Sequence, residues 1–470
     1  MKGLITMTKL EKFKQNINGK KVNVIGIGIS NMPLIKLLVK LGADVTAFDA
    51  RDKEYIGANY TACQELGVKM ILGPEYLDHL DGEIIFKTPG LRYDKPQLLE
   101  AVKNGAVLTS EMETFFDICP AHIIGITGSD GKTTTTTLIH KMMTDAGYKT
   151  WLGGNIGNPV LDMADEMTEN DWVILELSSF QLHTMKKTPE RAVITNLSPN
   201  HLDWHTDYAE YIDAKTNIFK NMSHDNILVL NADNADSAAL LPMAHCDVKF
   251  FSRKTKASVW LDGDVIRRGN KAVLNINDIK IPGWHNVENY MAAIAAVSGL
   301  VDDEVIVNTA KTFGGVPHRI ELVREKDGVK YYNSSIDSSP NRTINALGVF
   351  KQKIIMLAGG KDKGIPYDEI GAPICDHVKE LILISKIPVT EEDKKIHPTA
   401  GQIKKAVLDT GRSDIPDIHE VHTYEDAVKL AASLAHEGDI VLLSPASTSF
   451  DMFRNFEERG NLFKKLVNEL

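Results

Sequence analysis

The segment that most constrains the fold is an eight-residue run, TGSDGKTT at 127–134, between an apolar strand-like segment and a segment typical of a helix. Its glycines let the backbone curl so that N–H groups converge, its lysine supplies a cation, and the next threonine offers Mg²⁺ a hydroxyl. These groups favour a nucleoside triphosphate bound within an α/β fold. The spacing differs from the usual phosphate loop, because Gly125 stands one residue too early. The predicted triphosphate contacts are Gly128, Ser129, Asp130, Gly131, Lys132, Thr133 and Thr134.

Composition limits the classes of protein to consider. A chain of 470 residues is long enough for about three domains. Its formal net charge of −10 argues against a nucleic-acid-binding protein. The four cysteines lie far apart without a CxxC pair, so neither a zinc site nor a disulfide framework is indicated. This use of cysteine favours the reduced cytoplasm. No signal peptide and no apolar run of about 18 residues is present, so we expect no membrane span, and we further expect a monomer.

The N-terminal segment carries a second glycine-containing turn. An apolar strand-like run ends in Gly26-x-Gly28, a helix-like segment follows at 34–41, and the next strand-like run ends at Asp49, where a Rossmann fold holds a ribose. Asn31 stands where the third glycine of a dinucleotide-binding fingerprint is expected. The pattern favours a Rossmann-like domain that binds a nucleotide other than NAD, and an NAD-dependent oxidoreductase is the rival from another class.

Strand-like and helix-like segments alternate along the remainder of the chain. A second segment begins near Ser110 and a third follows Gly314-Gly315, and in both the alternation predicts a mainly parallel sheet within an α/β fold. The candidate strands are 84–90, 172–177, 191–196, 226–231, 330–332, 354–358, 380–384 and 439–443.

Three residues that follow strand-like runs are candidate metal ligands. Glu176 can hold Mg²⁺ beside a phosphate loop, although an exposed acid is also common at a strand end. His201 can bind a metal or a substrate carboxylate, or be solvated. Lys215 lies among apolar residues in a helix-like segment, 208–219, and either extends to water or is buried. If it is buried, its amine loses its proton readily and can form a carbamate with carbon dioxide, an anionic ligand.

Polar residues farther along suit nucleotide and carboxylate ligands. Asn286 and Asn289 stand on one face of a helix-like segment and can contact adenine, or Asn286 can cap the helix. Arg319, next to a predicted hinge, can neutralise a phosphate or form a surface ion pair. The turn 359–364 offers lysines, and the run 444–460 offers hydroxyls, to small carboxylates.

Several of these motifs resemble those of the Mur ligases, ATP-dependent amide-forming enzymes of peptidoglycan synthesis. The phosphate loop, HNVEN at 285–289 and Pro317-His318-Arg319 are similar to motifs shared by the superfamily, which includes folylpolyglutamate synthase. ELSSFQL at 176–182 and SPASTSFDMFRNFEERG at 444–460 resemble the branch that adds D-glutamate. The resemblance implies three domains: a Rossmann-like domain for UDP at 1–110, a central P-loop-type ATPase domain at 111–315 and a C-terminal Rossmann-like, amino-acid-binding domain at 316–470.

The resemblance also implies substrates and roles. ATP would drive the joining of UDP-N-acetylmuramoyl-L-alanine to D-glutamate through an acyl phosphate, with two Mg²⁺ ions. The implied catalytic residues are Lys132, His201, Lys215 and Arg319. The implied metal ligands are Thr133, Glu176, His201 and carbamylated Lys215, and the further ATP contacts are Asn286, Asn289 and Arg319. The UDP-linked substrate would contact Gly28, Ser30, Asp49, Arg51, Thr88, Pro89, Gly90 and Asn155. D-Glutamate would contact His201, Lys363, Ser449, Phe450 and Phe456.

Two positions depart from the family pattern. Many members have Asn-Asp-Ser after a strand where this chain has Asn333-Ser334-Ser335, and Asp337 is the candidate to replace the missing carboxylate. Ile336 stands where some members have lysine. The sequence leaves open a sibling ligase that adds another amino acid, a folate-directed glutamate ligase, the NAD-dependent oxidoreductase and a non-catalytic nucleotide-binding regulator.

Overall fold

The computed structural model describes residues 7–28, 30–156, 159–362, 364–388 and 398–470. The chain divides into two compact units, both α/β structures. One holds the residues up to Ile276 together with Glu288–Thr309, and the other holds Asn277–Val287 together with Ala310–Leu470.

The first unit begins with a sheet of five parallel strands. The strands are β1 (Lys21–Ile25), β2 (Asp44–Asp49), β3 (Lys69–Leu72), β4 (Ile84–Lys87) and β5 (Val107–Thr109). Their order is β3-β2-β1-β4-β5, so the connections change direction between β1 and β4, and ligands of such sheets bind outside the carboxyl ends at that point. The helices of this part are α1 (Lys9–Ile17), α2 (Asn31–Lys40), α3 (Lys53–Ile56), α4 (Ala58–Glu65), α5 (Pro96–Lys103) and α6 (Glu111–Ile118).

A nine-stranded sheet follows in the same unit. Its strands are β6 (His122–Thr127), β7 (Thr150–Gly154), β8 (Trp172–Glu176), β9 (Arg191–Ile194), β10 (Ile227–Asn231), β11 (Asp247–Ser252), β12 (Val259–Asp262), β13 (Val265–Arg268) and β14 (Lys271–Asn275). The order is β14-β13-β12-β11-β10-β9-β6-β8-β7, parallel except for the antiparallel edge β12-β13-β14. The carboxyl end of β6 therefore lies between those of β8 and β9.

The helices that accompany this sheet complete the region. They are α7 (Lys132–Asp145), α8 (Ser179–Leu182), α9 (Tyr208–Thr216), α10 (Ala235–Ala238), α11 (Trp284–Ala296) and α12 (Asp303–Thr312). Apolar residues of α2, α6 and β8 belong to one buried cluster, so the two sheets of the first unit share a core.

The second unit contains a six-stranded sheet. Its strands are β15 (Glu321–Lys326), β16 (Val329–Asn333), β17 (Ile354–Ala358), β18 (Val378–Ile384), β19 (Asp417–Val421) and β20 (Ile440–Leu443), in the order β15-β16-β20-β17-β18-β19. Only β15 pairs antiparallel. The helices are α13 (Pro340–Leu347), α14 (Gly371–His377), α15 (Ala400–Asp409), α16 (Tyr424–Leu434) and α17 (Phe456–Glu469), and separate apolar clusters cover the two faces of the sheet.

The predicted α/β class with three sheet regions is confirmed. The domain boundaries at residues 110 and 315 remain predictions. The helix predicted at 208–219 ends at Thr216, and the sequence interpretation missed the antiparallel edge β12-β13-β14. Within the described ranges, no helix combines the length and the apolar composition needed to span a bilayer.

Candidate active site

The loop Thr127–Thr134 connects β6 to α7, as predicted. At Gly128 the backbone has φ +145°, and a Cβ atom would lie 1.9 Å from Thr195 Oγ1, so only glycine fits. Gly131 precedes α7 in the left-handed conformation, and no side chain among the described residues caps this helix. Its first-turn N–H groups therefore face the loop in the arrangement that binds phosphate.

Two lysine side chains converge on the backbone of this loop. Lys132 Nζ donates to the carbonyl oxygens of Gly128 and Ser129, at 3.0 and 2.8 Å. Lys215, on α9, donates to the same Gly128 oxygen at 2.8 Å and to Thr127 Oγ1 at 3.2 Å. Lys215 is 2% exposed, so it does not extend to water, and the buried alternative is the correct one.

The surroundings of Lys215 favour its neutral form. Burial and then the positive charge of Lys132 lower the pKa of Lys215 well below its ordinary value. The neutral amine is the form that reacts with carbon dioxide. The environment therefore fits carbamate formation, and the modification itself stays a prediction.

Glu176 lies at the end of β8, beside the strand that carries the loop. Its Oε1 accepts a hydrogen bond from Asn155 Nδ2 at 2.9 Å, whereas Oε2 is buried and has no donor among the described residues. Gly154, with φ +93°, lets the backbone of β7 lie close to Glu176, because a Cβ at this position would lie 2.2 Å from the Glu176 carbonyl oxygen. A buried carboxylate oxygen without a donor is costly unless a cation lies next to it.

His201 lies in the loop after β9 with left-handed backbone, at φ +54°. Its ring lies 4.9 Å from that of Phe180, centroid to centroid. Partial burial and the charges of Lys132 and Lys215 lower the pKa of His201. These effects favour the neutral imidazole, which is the form that ligates metals.

The donor groups around the loop suit Mg²⁺. A carboxylate, a hydroxyl, an imidazole and, after reaction with carbon dioxide, a carbamate are offered by Glu176, Thr133, His201 and Lys215. Glu176 Oε2 is the structural observation that supports the fit, since it lacks a donor. The residues present therefore fit a divalent cation, and a count of two ions remains a prediction.

A cavity of about 310 Å³ lies at the carboxyl end of β4 and is also lined by residues at or after the ends of β7 and β8. Three of the predicted contacts to the UDP-linked substrate, Ser30, Pro89 and Asn155, line it together. The other predicted contacts are not among its lining residues; they are Gly28, Asp49, Arg51, Thr88 and Gly90.

Asp49 and Arg51 bind each other at the end of β2. Arg51 Nε and Nη2 donate to the two carboxylate oxygens of Asp49 at 2.7 and 2.6 Å, and the Ile27 N–H donates to the same carboxylate at 2.8 Å. Burial raises the pKa of Asp49, but these hydrogen bonds outweigh it and hold the pKa below its ordinary value. Asp49 thus fixes the first glycine turn and orients Arg51, which also stacks over Tyr55.

Arg319 lies on a strained turn of the second unit. The residues on either side, His318 and Ile320, have φ +66° and +45°, and the left-handed conformation is unusual for a β-branched residue. The Ile320 N–H donates to Ser334 Oγ at 3.2 Å. Ser334, which replaces the aspartate of many family members, therefore supports the turn that presents Arg319.

Asp337 supplies a carboxylate near this turn. It is 6% exposed, accepts a hydrogen bond from Ser444 Oγ at 2.8 Å, and interacts electrostatically with Arg319. Burial raises the pKa of Asp337 to about 6, against the hydrogen bonds from Ser334 and Ser444. A carboxylate is thus present three residues from the expected position, and whether it contacts nucleotide remains a prediction.

The two predicted adenine contacts lie on α11. This helix begins at Trp284, so Asn286 does not cap it and instead donates to the Pro282 carbonyl oxygen at 2.6 Å. In the first unit, Asn289 Oδ1 accepts from Thr135 Oγ1 at 3.3 Å, and a Cβ on Gly131 would lie 2.3 Å from that oxygen. Asn289 therefore packs against the phosphate loop.

The residues predicted to contact D-glutamate lie in the second unit, apart from His201. Ser449 is buried, Phe450 is 59% exposed, and Phe456 begins α17 with its ring 5.8 Å from that of His318. Lys363 lies outside the described residues.

A polar cluster that the sequence interpretation missed joins two loops of the first unit. Arg92 donates to both carboxylate oxygens of Glu210, at 2.9 and 3.0 Å, and to the Trp204 carbonyl oxygen at 2.9 Å. Trp204 Nε1 donates to the Gly90 carbonyl oxygen at 2.9 Å. This Arg92 cluster, formed by Arg92, Trp204 and Glu210, ties the TPG turn at 88–90 to the loop that carries His201.

Two histidines adjoin the Arg92 cluster. His183, His205 and Glu210 have donor atoms within 4.8 Å of one another, a spacing found at metal sites. Both oxygens of Glu210, however, are bound by Arg92, and His183 Nε2 contacts one of them at 3.1 Å. Arg92, His183 and Glu210 therefore form a hydrogen-bonded network, whereas His205 contacts Ser179 Oγ at 3.0 Å. The sequence signal was weak, because one arginine after a turn is common on surfaces.

Comparisons with known proteins identify the family. Residues 126–297 match the family model of the Mur ligase middle domain, and residues 318–447 match that of the Mur ligase glutamate ligase domain. The UDP-N-acetylmuramoylalanine--D-glutamate ligase of Ruminiclostridium cellulolyticum is 52% identical, over 98% of this chain and 99% of the relative. Relatives with the same name from Acetivibrio thermocellus and Clostridium novyi are 52% and 49% identical, again over 98% of this chain and 99% of the relative.

The chain therefore belongs to the Mur ligase family. ATP-dependent ligation in peptidoglycan precursor synthesis is the activity of this family. Among solved structures, UDP-N-acetylmuramate-alanine ligase MurC from Thermotoga maritima has a TM-score of 0.55 at 17% identity, covering 96% of this chain and 99% of its own. MurF from Acinetobacter baumannii has a TM-score of 0.56 at 15% identity, covering 97% and 92%. These two likenesses concern the fold, whereas family membership favours a ligase over the oxidoreductase and over the non-catalytic regulator.

Proposed function

We propose that this protein joins D-glutamate to UDP-N-acetylmuramoyl-L-alanine, with ATP converted to ADP and phosphate. The names of full-length relatives at 49–52% identity support this choice of acceptor and amino acid. The structural observation that carries the proposal is the convergence of Lys132, buried Lys215 and Glu176 on one glycine-rich loop. Such a site suits a reaction of a triphosphate.

The reaction we propose has two steps. A carboxylate oxygen of the L-alanyl group attacks the γ-phosphorus of ATP, ADP leaves, and an acyl phosphate forms. The amine of D-glutamate then attacks the acyl carbon, and phosphate leaves with the oxygen that came from the carboxylate. The first approach brings two anions together, so Lys132 and Arg319 are assigned to neutralise charge on the phosphoryl oxygens.

Magnesium is the metal we assign to the donor set beside the loop. Mur ligases generally use it. Bound Mg²⁺ would offset negative charge on the phosphates and on the attacking carboxylate. We assign its protein ligands to the hydroxyl of Thr133, the carboxylate of Glu176, the imidazole of His201 and a carbamate on Lys215.

The remaining contacts are proposed from the family resemblance. We place the nucleotide-sugar at the crevice between β1 and β4, near the cavity lined by Ser30, Pro89 and Asn155. Arg51, fixed by Asp49, would meet the uracil end. We assign Gly28, Thr88 and Gly90 to the same substrate, Asn286 and Asn289 to ATP, and Lys363, Ser449, Phe450 and Phe456 to D-glutamate.

We further propose that the enzyme acts in the cytoplasm as a monomer on small-molecule substrates. The formal net charge of −10 supports a protein that does not bind nucleic acid. Gel filtration with light scattering tests the oligomeric state, and a mass of twice 52.0 kDa would contradict it.

A phosphate-release assay with a panel of amino acids tests the proposed reaction. With ATP, Mg²⁺ and UDP-N-acetylmuramoyl-L-alanine, we expect D-glutamate to support the fastest release and L-glutamate, D-alanine and diaminopimelate to give little. Mass spectrometry should detect the acceptor extended by one glutamate. No turnover, or equal turnover with other amino acids, would refute the assignment, and a preference for another amino acid or for folate would identify a sibling ligase.

A further inference from the structure

The cavity at the carboxyl end of β4 contains two buried charged side chains that the proposed reaction does not use. Lys87, the last residue of β4, is 1% exposed, and Glu111, the first residue of α6, is 8% exposed. Both line the cavity. Among the described residues, no hydrogen bond or ion pair engages either side chain.

Among the described residues, no carboxylate forms an ion pair with Lys87. The carboxylate of Glu113 interacts with it electrostatically, but the Glu113 oxygens accept hydrogen bonds from Thr109 Oγ1 at 3.2 Å and the Lys186 N–H at 3.1 Å. Burial lowers the pKa of Lys87 to about 8 and, together with the charge of Asp162, raises the pKa of Glu111 to about 8. A buried, unpaired ammonium destabilises the folded protein. A stability cost of this kind is typical of functional sites.

The other walls of the cavity indicate what it binds. Ser30, immediately before α2, lies on one wall, and α2 is a ten-residue helix that no side chain among the described residues caps. A helix N-terminus and a buried lysine both attract an anion. Met112, Val160 and Phe180 add apolar surface. The cavity therefore suits a ligand with one anionic group and a larger uncharged part.

We propose that Lys87 binds the diphosphate of the UDP-linked substrate and that Glu111 hydrogen-bonds to its sugar portion. The diphosphate is favoured over the L-alanyl carboxylate because Lys87 and the α2 N-terminus belong to the same sheet edge, where the strand order reverses. This inference rests on the proposed function and assigns roles to two residues beyond those predicted from the sequence.

Calorimetric titration of the full-length protein with UDP and, separately, with UDP-N-acetylmuramoyl-L-alanine tests both assignments. Lys87→Met should weaken both ligands by about 30-fold, the loss expected for a charged hydrogen bond. Glu111→Leu should weaken only the sugar-bearing ligand, by about fivefold. Lys69→Met, which removes an exposed lysine from β3 of the same sheet, is the matched control and should change neither affinity.

Thermal unfolding without ligand separates a binding role from a structural one. Lys87→Met should unfold at the same or a higher temperature, because it removes an unpaired buried charge. A lower unfolding temperature with unchanged affinity would show a structural lysine. A loss confined to the L-alanyl ligand would overturn the diphosphate assignment, and an equal effect of Glu111→Leu on both ligands would overturn the sugar contact. If the wild type binds UDP in a Lys87-dependent way but not the L-alanyl compound, the proposed function fails and the Lys87 assignment stands.

Discussion

The two glycine-containing turns of the first unit differ in the pairing of their charges. After β1, Asp49 and Arg51 bind each other, and Asp49 also holds the turn through the Ile27 N–H. After β6, Lys215 is buried on the loop backbone without a carboxylate partner among the described residues, and Glu176 has a buried oxygen without a donor. The two turns have similar strand-turn-helix patterns. The charges at the turn after β1 neutralise each other, whereas those at the loop after β6 do not form such a pair.

This difference separates residues that position from residues that react. A paired buried charge has its desolvation cost offset by its partner, whereas an unpaired one costs stability that a ligand can offset. By this criterion Lys215 and Glu176 mark the reaction centre. Asp49 holds Arg51, and in the N-terminal sheet Lys87 is a buried charge without an ion-pair partner among the described residues.

The largest effect is expected for Lys215→Arg. A guanidinium cannot carry a carbamate, so phosphate release should fall by about 10³-fold, or about 4 kcal/mol of transition-state stabilisation. Because arginine stays charged in this buried position, the unfolding temperature should fall, and circular dichroism should show that the folded structure is kept. Lys220→Arg, an exposed lysine that pairs with Asp213, is the control and should keep full activity. Activity above a tenth of wild type in Lys215→Arg would contradict the metal-ligand role.

Glu176→Gln should reduce turnover about a hundredfold and raise the Mg²⁺ concentration needed for half-maximal activity. The amide can still accept a hydrogen bond from Asn155 but supplies no charge to a cation, so thermal stability should be equal or higher. Magnesium titrations of activity measure the shift. Glu190→Gln, an exposed acid paired with His122, is the control. An unchanged Mg²⁺ dependence would remove Glu176 from the donor set.

The Arg92 cluster links the TPG turn after β4 to the loop that carries His201. Breaking it should reduce activity by an intermediate amount. Arg92→Met leaves Glu210 without its bidentate partner, so we expect about a tenfold loss in kcat/KM. Glu210→Gln should have a similar effect, and the double variant should be little worse than either single variant. Arg412→Met, which breaks an exposed bidentate pair with Asp414, is the control. Additive losses would show that the pair does not act as a unit.

The smallest effect on turnover is expected for Asp49→Asn. It weakens the Arg51 and Ile27 contacts, so the protein should lose about 1–2 kcal/mol of stability near pH 7, while kcat stays within about twofold. Because the pKa of Asp49 lies below its ordinary value of 3.8, the stability due to its charge is fully present above that pH and is lost as the pH falls through the lower folded-state pKa. Urea unfolding measured from about pH 7 into the acid range should show that the difference in unfolding free energy between wild type and Asp49→Asn becomes smaller only below pH 3.8, the ordinary pKa of aspartate. A large fall in kcat would instead place Asp49 in the chemistry.

Local patterns predicted much of the fold. Apolar runs and glycine turns indicated the strands β8, β10, β17 and β20, because a parallel sheet buries continuous apolar segments. The loop 127–134 and the candidates Glu176, His201 and Lys215 follow strands whose carboxyl ends meet, and this explains why the structure brings them together. The antiparallel edge β12-β13-β14 lacked such a pattern.

Burial and pairing of single charges were not predictable. Lys87 and Arg92 each end or follow a strand, as exposed lysines and arginines commonly do. Their surroundings come from residues distant in the sequence: Glu111 and Glu113 of α6 near Lys87, and Glu210 of α9 at Arg92. Asp49 was predicted to face a nucleotide, but its partner, Arg51, stood two residues away in the sequence. Contacts between residues distant in the sequence decide the surroundings of Lys87 and Arg92. The Asp49–Arg51 pair is local, but the spacing of two residues does not show that their side chains bind each other.

The transfer of oxygen-18 from the acceptor carboxylate to phosphate tests whether the reaction passes through an acyl phosphate. UDP-N-acetylmuramoyl-L-alanine labelled in its terminal carboxylate is incubated with ATP, Mg²⁺ and D-glutamate, and the released phosphate is analysed by mass spectrometry. The acyl-phosphate route predicts one labelled oxygen in each released phosphate, dependent on D-glutamate and absent in Lys215→Arg. Unlabelled phosphate released at the normal rate would contradict the account.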